Sequence, residues 1–154
     1  MITANPDDMR ILILDFLTNH DLAVISTVTS DHKPESATVG YYFDADNFNL
    51  YFVTRADSRK VKNLKSNPNL AIVVGTLPST NTVQMEGKAS ILYSGDSEFK
   101  EFLVRLAGLK IIYRSPFLKI EGNDFVIVKT EINWLRWLDY NELTHKEEYF
   151  QLLP

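Results

Sequence analysis

The segment from Val83 to Leu92 alternates apolar and polar residues, and it constrains the fold more than any other feature of the chain. Apolar or small residues occupy every second position: Val83, Met85, Gly87, Ala89 and Ile91. Because successive side chains of a strand point to opposite faces, this pattern places one face in a core and leaves the other polar. Gly87 and Ala89 are small, which suits the crowded interior of a barrel. The segment therefore predicts a two-faced strand that lines a barrel.

Shorter apolar segments separated by turn residues predict the rest of the sheet. The further predicted strands are Leu22 to Val28, Glu35 to Phe43, Leu50 to Thr54, Leu70 to Val74, Phe125 to Lys129 and its continuation Ile132 to Leu138. Helical spacing and capping residues predict three helices, which start at Asn5-Pro6, at Asp57-Ser58 and at Asp96 or Ser97. Because these helices do not alternate regularly with the strands, the pattern favours an antiparallel barrel with attached helices. Residues 111–123 are irregular by pattern, and the tail from Asn141 is polar.

Composition limits the class of protein. The 154 residues fit a single domain, 1–154, with a sizeable core. A net charge of −4 disfavours nucleic acid or an anionic membrane as the main partner. The absence of cysteine excludes disulfides and thiolate chemistry. No apolar run approaches the roughly 18 residues of a membrane span, and the start lacks the pattern of a signal peptide, so we expect a cytoplasmic protein.

Positive charge is concentrated in one segment despite the negative total: Arg55, Arg59, Lys60, Lys62 and Lys65. Arg59 and Lys60 fall in the first turn of a predicted helix, where free N–H groups and the helix dipole already create positive potential. Cations there are mildly unfavourable unless an anion lies beside them, and a phosphate would bind both the side chains and the N–H groups. A solvated surface helix explains the same charges, so the charge pattern alone leaves both interpretations open.

The residues around this helix form a more specific pattern. In chain order they are Thr54, Ser58-Arg59-Lys60 and Asn67-Pro68, flanked by the strand Ser36 to Tyr41 and by Val83 to Ala89. This set resembles the flavin-phosphate segment and neighbouring strands of the pyridoxamine 5'-phosphate oxidase-like, FMN-binding split-barrel family. The resemblance implies a mostly β protein with attached α-helices, a six- or seven-stranded antiparallel split β-barrel. It also implies a homodimer with ligand sites at the interface.

The resemblance further implies FMN as the cofactor and indicates how it would be held. Arg59 and Lys60 would bind the flavin phosphate, with Thr54 and Ser58 as additional donors, and the strand Ser36 to Tyr41 would pass the isoalloxazine ring. The complete set of candidate cofactor-binding residues is Ala37, Thr38, Val39, Val53, Thr54, Ser58, Arg59, Lys60, Thr82 and Gln84.

The chain departs from the family pattern at three positions. The family usually has an arginine at the position of Ser36 and a lysine near Tyr41, and both are absent here. The glutamine that contacts the ring in the family falls at Thr82, whereas this chain has Gln84. Because strand side chains repeat every second residue, Thr82 and Gln84 share a face, so Gln84 could serve in a shifted position. The alternative is that Gln84 is an ordinary polar surface residue.

Catalytic residues and a metal site are not indicated by the sequence. His20, His32 and His145 are scattered and lack metal-ligand spacing. Trp134 and Trp137 are interpreted as core or dimer-interface residues. An FMN enzyme leaves the redox chemistry to the cofactor, so few catalytic side chains are expected and the substrate is not indicated.

Two functional classes follow. The first is a flavin-dependent oxidoreductase, related to pyridoxamine 5'-phosphate oxidase, that acts on an unidentified small molecule. The second is a non-catalytic protein of the same fold that binds or senses flavin, haem or another anionic ligand. The missing arginine and lysine favour the second class, whereas the Ser-Arg-Lys segment and the Gln84 strand favour the first. A deazaflavin cofactor, or none, is an alternative to FMN.

Overall fold

Seven antiparallel strands and three helices form the fold in a computed structural model, which describes residues 5–75, 80–109, 124–141 and 146–153. The elements in chain order are α1 Pro6–Asn19, β1 Leu22–Val28, β2 Pro34–Asp44, β3 Asn49–Arg55, α2 Arg59–Ser66, β4 Asn69–Val74, β5 Asn81–Leu92, α3 Ser97–Leu109, β6 Phe125–Asn141 and β7 Lys146–Leu153. The strand order is β3-β2-β1-β4-β5-β6-β7, and an additional β3–β6 pairing closes the first six strands into a barrel. The structure confirms the prediction of a mostly β antiparallel barrel with attached helices.

Two strands differ from the sequence prediction. The predicted runs Phe125 to Lys129 and Ile132 to Leu138 form one long strand, β6, which pairs with β5 along most of its length. The polar tail contributes β7, which pairs with the second half of β6. The irregular segment 111–123 and His145 lie outside the described residues. Among the described helices, none is long and apolar enough to cross a membrane.

The inner face of β5 fills the barrel as the alternation predicts. Val83, Met85 and Gly87 are buried, whereas Glu86 and Lys88 on the other face are exposed. A Cβ atom on Gly87 would lie 2.6 Å from the Glu131 carbonyl oxygen, so only glycine fits this position without movement of the backbone. The pairing of β5 with β6 shifts register between Glu86 and Gly87, which is where this close approach occurs.

The two faces of β3 bury different clusters. Leu50 and Phe52 point into the barrel core, which α1 closes with Ile13 and Leu17. Tyr51 points outward and stacks on Phe102 of α3, with 4.4 Å between the ring centroids. Because side chains alternate along a strand, Thr54 follows Phe52 on the inner face of β3. Thr54 is the last inward-facing residue of the strand and lies next to α2.

Trp137 is part of the barrel core, where it packs edge-on against Phe16 with 5.1 Å between ring centroids. Trp134 lies on the outer face of the sheet and is only partly buried. The guanidinium group of Arg136 lies 5.1 Å from the Trp134 ring centroid. One tryptophan therefore stabilises the core, and the other lies on the surface of the sheet.

Candidate functional site

A cavity of about 490 Å³ opens where the N-terminus of α2 meets the ends of β1 and β2. Its lining includes Ile25, Thr27, Glu35, Ala37, Arg59 and Lys60. The antiparallel register of β1 and β2 places Ile25 opposite Ala37 and Thr27 opposite Glu35. These residues form the inward row of the two strands, so the cavity continues the interior of the barrel to its rim.

Helix α2 is fixed on the barrel by its apolar side. Val61 and Leu64, three positions apart, are both buried. Ser58 is the N-cap, as the sequence predicts, but its side chain makes no capping hydrogen bond. Its hydroxyl instead accepts a hydrogen bond from the Thr54 hydroxyl at 3.4 Å. The first turn of α2 therefore keeps N–H groups that the Ser58 side chain does not satisfy.

Lys60 is the partly buried cation of the cavity. Its ammonium group donates a hydrogen bond to the Thr54 hydroxyl at 3.3 Å. Burial lowers the pKa of Lys60, because a desolvated ammonium is disfavoured unless a negative group compensates it. Among the ion pairs of the described residues, none involves Lys60. The site therefore offers a partly desolvated positive charge next to two hydroxyl groups.

Arg59 has a different environment. Its side chain is 81% exposed and forms an ion pair with Glu35, whose side chain is only 22% exposed. Asn63, one turn further along α2, donates hydrogen bonds to Glu35 Oε2 at 2.9 Å and to Thr27 Oγ1 at 3.0 Å. The guanidinium of Arg59 is thus already paired with a carboxylate that belongs to the lining of the same cavity.

Glu35 and Asn63 belong to the site although no pattern in the sequence predicts them. Glu35 shares the inward row of β2 with Ala37 and Val39, so a charged residue on an apolar face was the available signal. Asn63 follows Arg59 by four positions, which places the two side chains on the same side of a helix. Neither signal fixes a contact between β2 and α2, because that contact depends on how the helix packs.

The structure brings half of the candidate residues together. Thr54, Ser58 and Lys60 form one hydrogen-bonded group, and Arg59 and Ala37 line the adjoining cavity. Val39 continues the inward row of β2 and is buried in the barrel core.

The other candidates lie elsewhere. Val53 faces outward and packs against the cluster under α3. Thr38 and Gln84 lie on the outer face of the sheet, in a row that also contains Val24 and Val73. Three strand spacings of about 4.8 Å separate the two ends of this row, roughly 14 Å. Thr82 shares the outer face with Gln84. The contacts of these four residues with a cofactor stay predictions.

The outer face of the sheet carries exposed apolar side chains as well as polar ones. Val73 is 39% exposed, and Leu22 at the start of β1 is also exposed. Trp134 and Arg136 lie on the neighbouring strand of the same face, where Arg136 pairs with Gln84 in the register. The outer face of the sheet therefore carries apolar, aromatic and amide side chains together.

A closed antiparallel barrel with a Ser-Arg-Lys helix and a polar cavity at its rim defines the class of this protein as a split barrel. The family model described as Pyridoxamine 5'-phosphate oxidase matches residues 9–137, so the chain belongs to this family. The comparison with curated proteins gave no match.

Solved structures share the fold at low sequence identity. General Stress Protein 26 from Bacillus anthracis is 23% identical, with a TM-score of 0.67, over 94% of this chain and 98% of that one. A pyridoxamine 5'-phosphate oxidase-related, FMN-binding protein from Nostoc punctiforme is 16% identical, with a TM-score of 0.60, over 95% and 92% of the two chains. The heme storage protein HutZ from Vibrio cholerae is 12% identical, with a TM-score of 0.62, over 79% and 88%. At these identities the likeness concerns the fold.

Proposed function

We propose that this protein binds FMN and acts as a flavin-dependent oxidoreductase on a small molecule. The observation that carries the proposal is Lys60, a partly buried ammonium with two hydroxyl neighbours and no carboxylate partner among the described residues. Such a group is stabilised by an anion, and the phosphate of FMN is an anion with several acceptor oxygens. The family to which the chain belongs and the FMN-binding relative from Nostoc punctiforme agree with this assignment.

Lys60 in the cavity and the hydroxyl groups beside it fit the phosphate end of FMN. Lys60 would supply charge, and Thr54 and Ser58 would supply hydroxyl groups. The N–H groups of the first turn of α2 would be further donors to a phosphate, as is usual at a helix N-terminus. When bound, the flavin would supply hydride or electron transfer, so the protein would contribute binding and orientation.

The flavin ring extends beyond a phosphate subsite, and the outer face of the sheet is our candidate for its second contact surface. We expect two copies of the chain to associate through this face and to form two equivalent ligand sites at the interface. Gln84 and Thr38 would then contribute amide and hydroxyl groups at the edge of the ring. The exposure of Val73 supports the association, because an apolar side chain on an open sheet face is stabilised by burial.

A non-catalytic binding protein is the second candidate. The observation that favours it is the ion pair of Arg59 with Glu35, which leaves one cation, Lys60, where the family uses two. Weaker binding of the phosphate agrees with a protein that senses or stores a ligand. A relative with the same fold is named as a heme storage protein. The absorption spectrum of the purified protein distinguishes flavin, deazaflavin and haem.

The decisive experiment compares ligands with and without the phosphate. Titration calorimetry should show FMN binding at least about tenfold more tightly than riboflavin, since charge-assisted hydrogen bonds contribute about 1.5–3 kcal/mol. Lys60→Met should remove most of this difference. Lys62→Met is the matched control, because it removes an exposed charge from the same helix outside the cavity. Equal affinities of the wild-type protein for FMN and riboflavin would contradict the proposed function.

A further inference from the structure

We infer that Glu35 is a built-in counter-charge of the anion site, which limits its affinity for phosphate-bearing ligands and makes Lys60 the principal anion-binding residue. This inference rests on the proposed function, because it concerns the same cavity. It assigns a specificity role to a residue of β2 that faces the cavity opposite the basic end of α2.

The position of Glu35 is fixed by two contacts, one to each carboxylate oxygen. One carboxylate oxygen is paired with Arg59, and the other accepts a hydrogen bond from Asn63 at 2.9 Å. Asn63 is buried and is itself held by its second hydrogen bond, to Thr27. A carboxylate held in this way differs from an exposed surface pair, whose partners exchange freely with water. The carboxylate of Glu35 is therefore held at one place in the cavity.

The carboxylate of Glu35 opposes the binding of a phosphate in two ways. The phosphate must share Arg59 with Glu35, and its own negative oxygens are repelled by the nearby carboxylate. Lys60 has no such competitor among the described ion pairs. The guanidinium of Arg59 is largely exposed, so it can turn from Glu35 toward a ligand, but the ion pair is lost when it does. The cavity consequently binds phosphate monoesters less tightly than its two cations alone would predict.

The test is the substitution Glu35→Gln, which removes the charge while the amide oxygen can still accept a hydrogen bond from Asn63. FMN affinity should increase at least about fivefold, whereas riboflavin affinity should change less than about twofold. Inorganic phosphate alone should raise the melting temperature of Glu35→Gln more than that of the wild-type protein. Glu35→Ala should show the same direction of change, which guards against an effect of the glutamine itself.

Asp57→Asn is the matched control. Asp57 immediately precedes the N-cap of α2 but pairs with Arg55 at the protein surface, with hydrogen bonds of 2.9 Å. The Asp57→Asn substitution removes the same formal charge near the same helix end without altering the lining of the cavity. Its effect on FMN affinity should stay below about twofold.

The outcomes separate this inference from the proposed function. Unchanged or weaker FMN affinity in both Glu35 variants would overturn the inference, and weaker affinity would show that Glu35 orients Arg59 for binding. An equal gain in Asp57→Asn would also overturn it, since the effect would then be one of net charge. If the wild-type protein does not prefer FMN to riboflavin, the proposed function fails, yet the phosphate-induced shift in melting temperature still tests Glu35. The absence of a larger phosphate shift in the Glu35 variants would then refute the inference.

Discussion

Replacing Gly87 by alanine tests the most crowded contact of the barrel. A Cβ atom at this position would lie 2.6 Å from the Glu131 carbonyl oxygen and 2.6 Å from Cγ2 of Thr130. Thr130 is fully buried, and the carbonyl belongs to the backbone of β6, so neither neighbour can move away cheaply. Overpacking of this kind costs about 1–3 kcal/mol, and the backbone contact places the expected cost near the upper end.

A smaller effect opposes this cost. Alanine restricts the unfolded chain more than glycine does, which stabilises the folded state by about 0.4–1 kcal/mol. The net loss in the free energy of unfolding should therefore be about 2 kcal/mol. For a chain of this size, such a loss corresponds to a decrease of roughly 4–8 °C in Tm.

Urea unfolding followed by tryptophan fluorescence measures this loss directly, with an m-value that should not change. Gly95→Ala provides the control, because no atom of the described part of the chain lies within 4 Å of a Cβ atom at Gly95. That variant should be as stable as the wild-type protein or slightly more stable. Equal stability of Gly87→Ala and Gly95→Ala would refute the reasoning that the β5–β6 register requires glycine.

Three further predictions concern a buried hydroxyl, an ion pair and the sheet surface. Thr130→Val should raise the free energy of unfolding by about 1 kcal/mol in urea titrations, because the buried Thr130 hydroxyl lacks a hydrogen-bond partner among the residues that the structure describes. Burial alone would raise the pKa of Asp44, but hydrogen bonds from Asn47 and Arg105 outweigh it and lower the pKa. Arg105→Met should therefore destabilise the protein by about 1–2 kcal/mol at pH 7. The difference in the free energy of unfolding between this variant and the wild-type protein should shrink as the pH falls below about 4, through the lowered pKa of Asp44. Light scattering should give a dimer mass for the wild-type protein and a monomer mass for Val73→Glu, and a wild-type monomer at micromolar concentration would contradict the proposed association.

The architecture could be predicted from local patterns. The alternation in β5 assigned its inner and outer faces correctly, because burial on one side of a strand leaves a period of two in the sequence. The limits of α2 followed from Ser58 as N-cap and from Pro68, which cannot continue a helix. The polar tail gave no such signal, since β7 forms by pairing with β6.

The candidate site was predictable only in part. Thr54, Ser58 and Lys60 are close in sequence, so a strand followed directly by a helix brings their side chains together. The partner of Arg59 could not be predicted, because Glu35 reaches it through the register of β1 with β2 and the packing of α2 on the barrel. These are tertiary properties that no spacing along the chain encodes.

The seam between β3 and β6 has a consequence for the order of folding. It pairs Asn49 with Glu131 and Arg55 with Phe125, so the loop that it closes contains α2, β4, β5 and α3. Closing so long a loop costs conformational entropy, which slows this step relative to the formation of adjacent hairpins. The cavity, in contrast, is built from β1, β2 and α2, which follow one another with only β3 between them. Pulse-labelling hydrogen exchange during refolding should consequently protect the amides of the β1–β2 pair before those of the β3–β6 seam, so the wall of the cavity should form before the barrel closes.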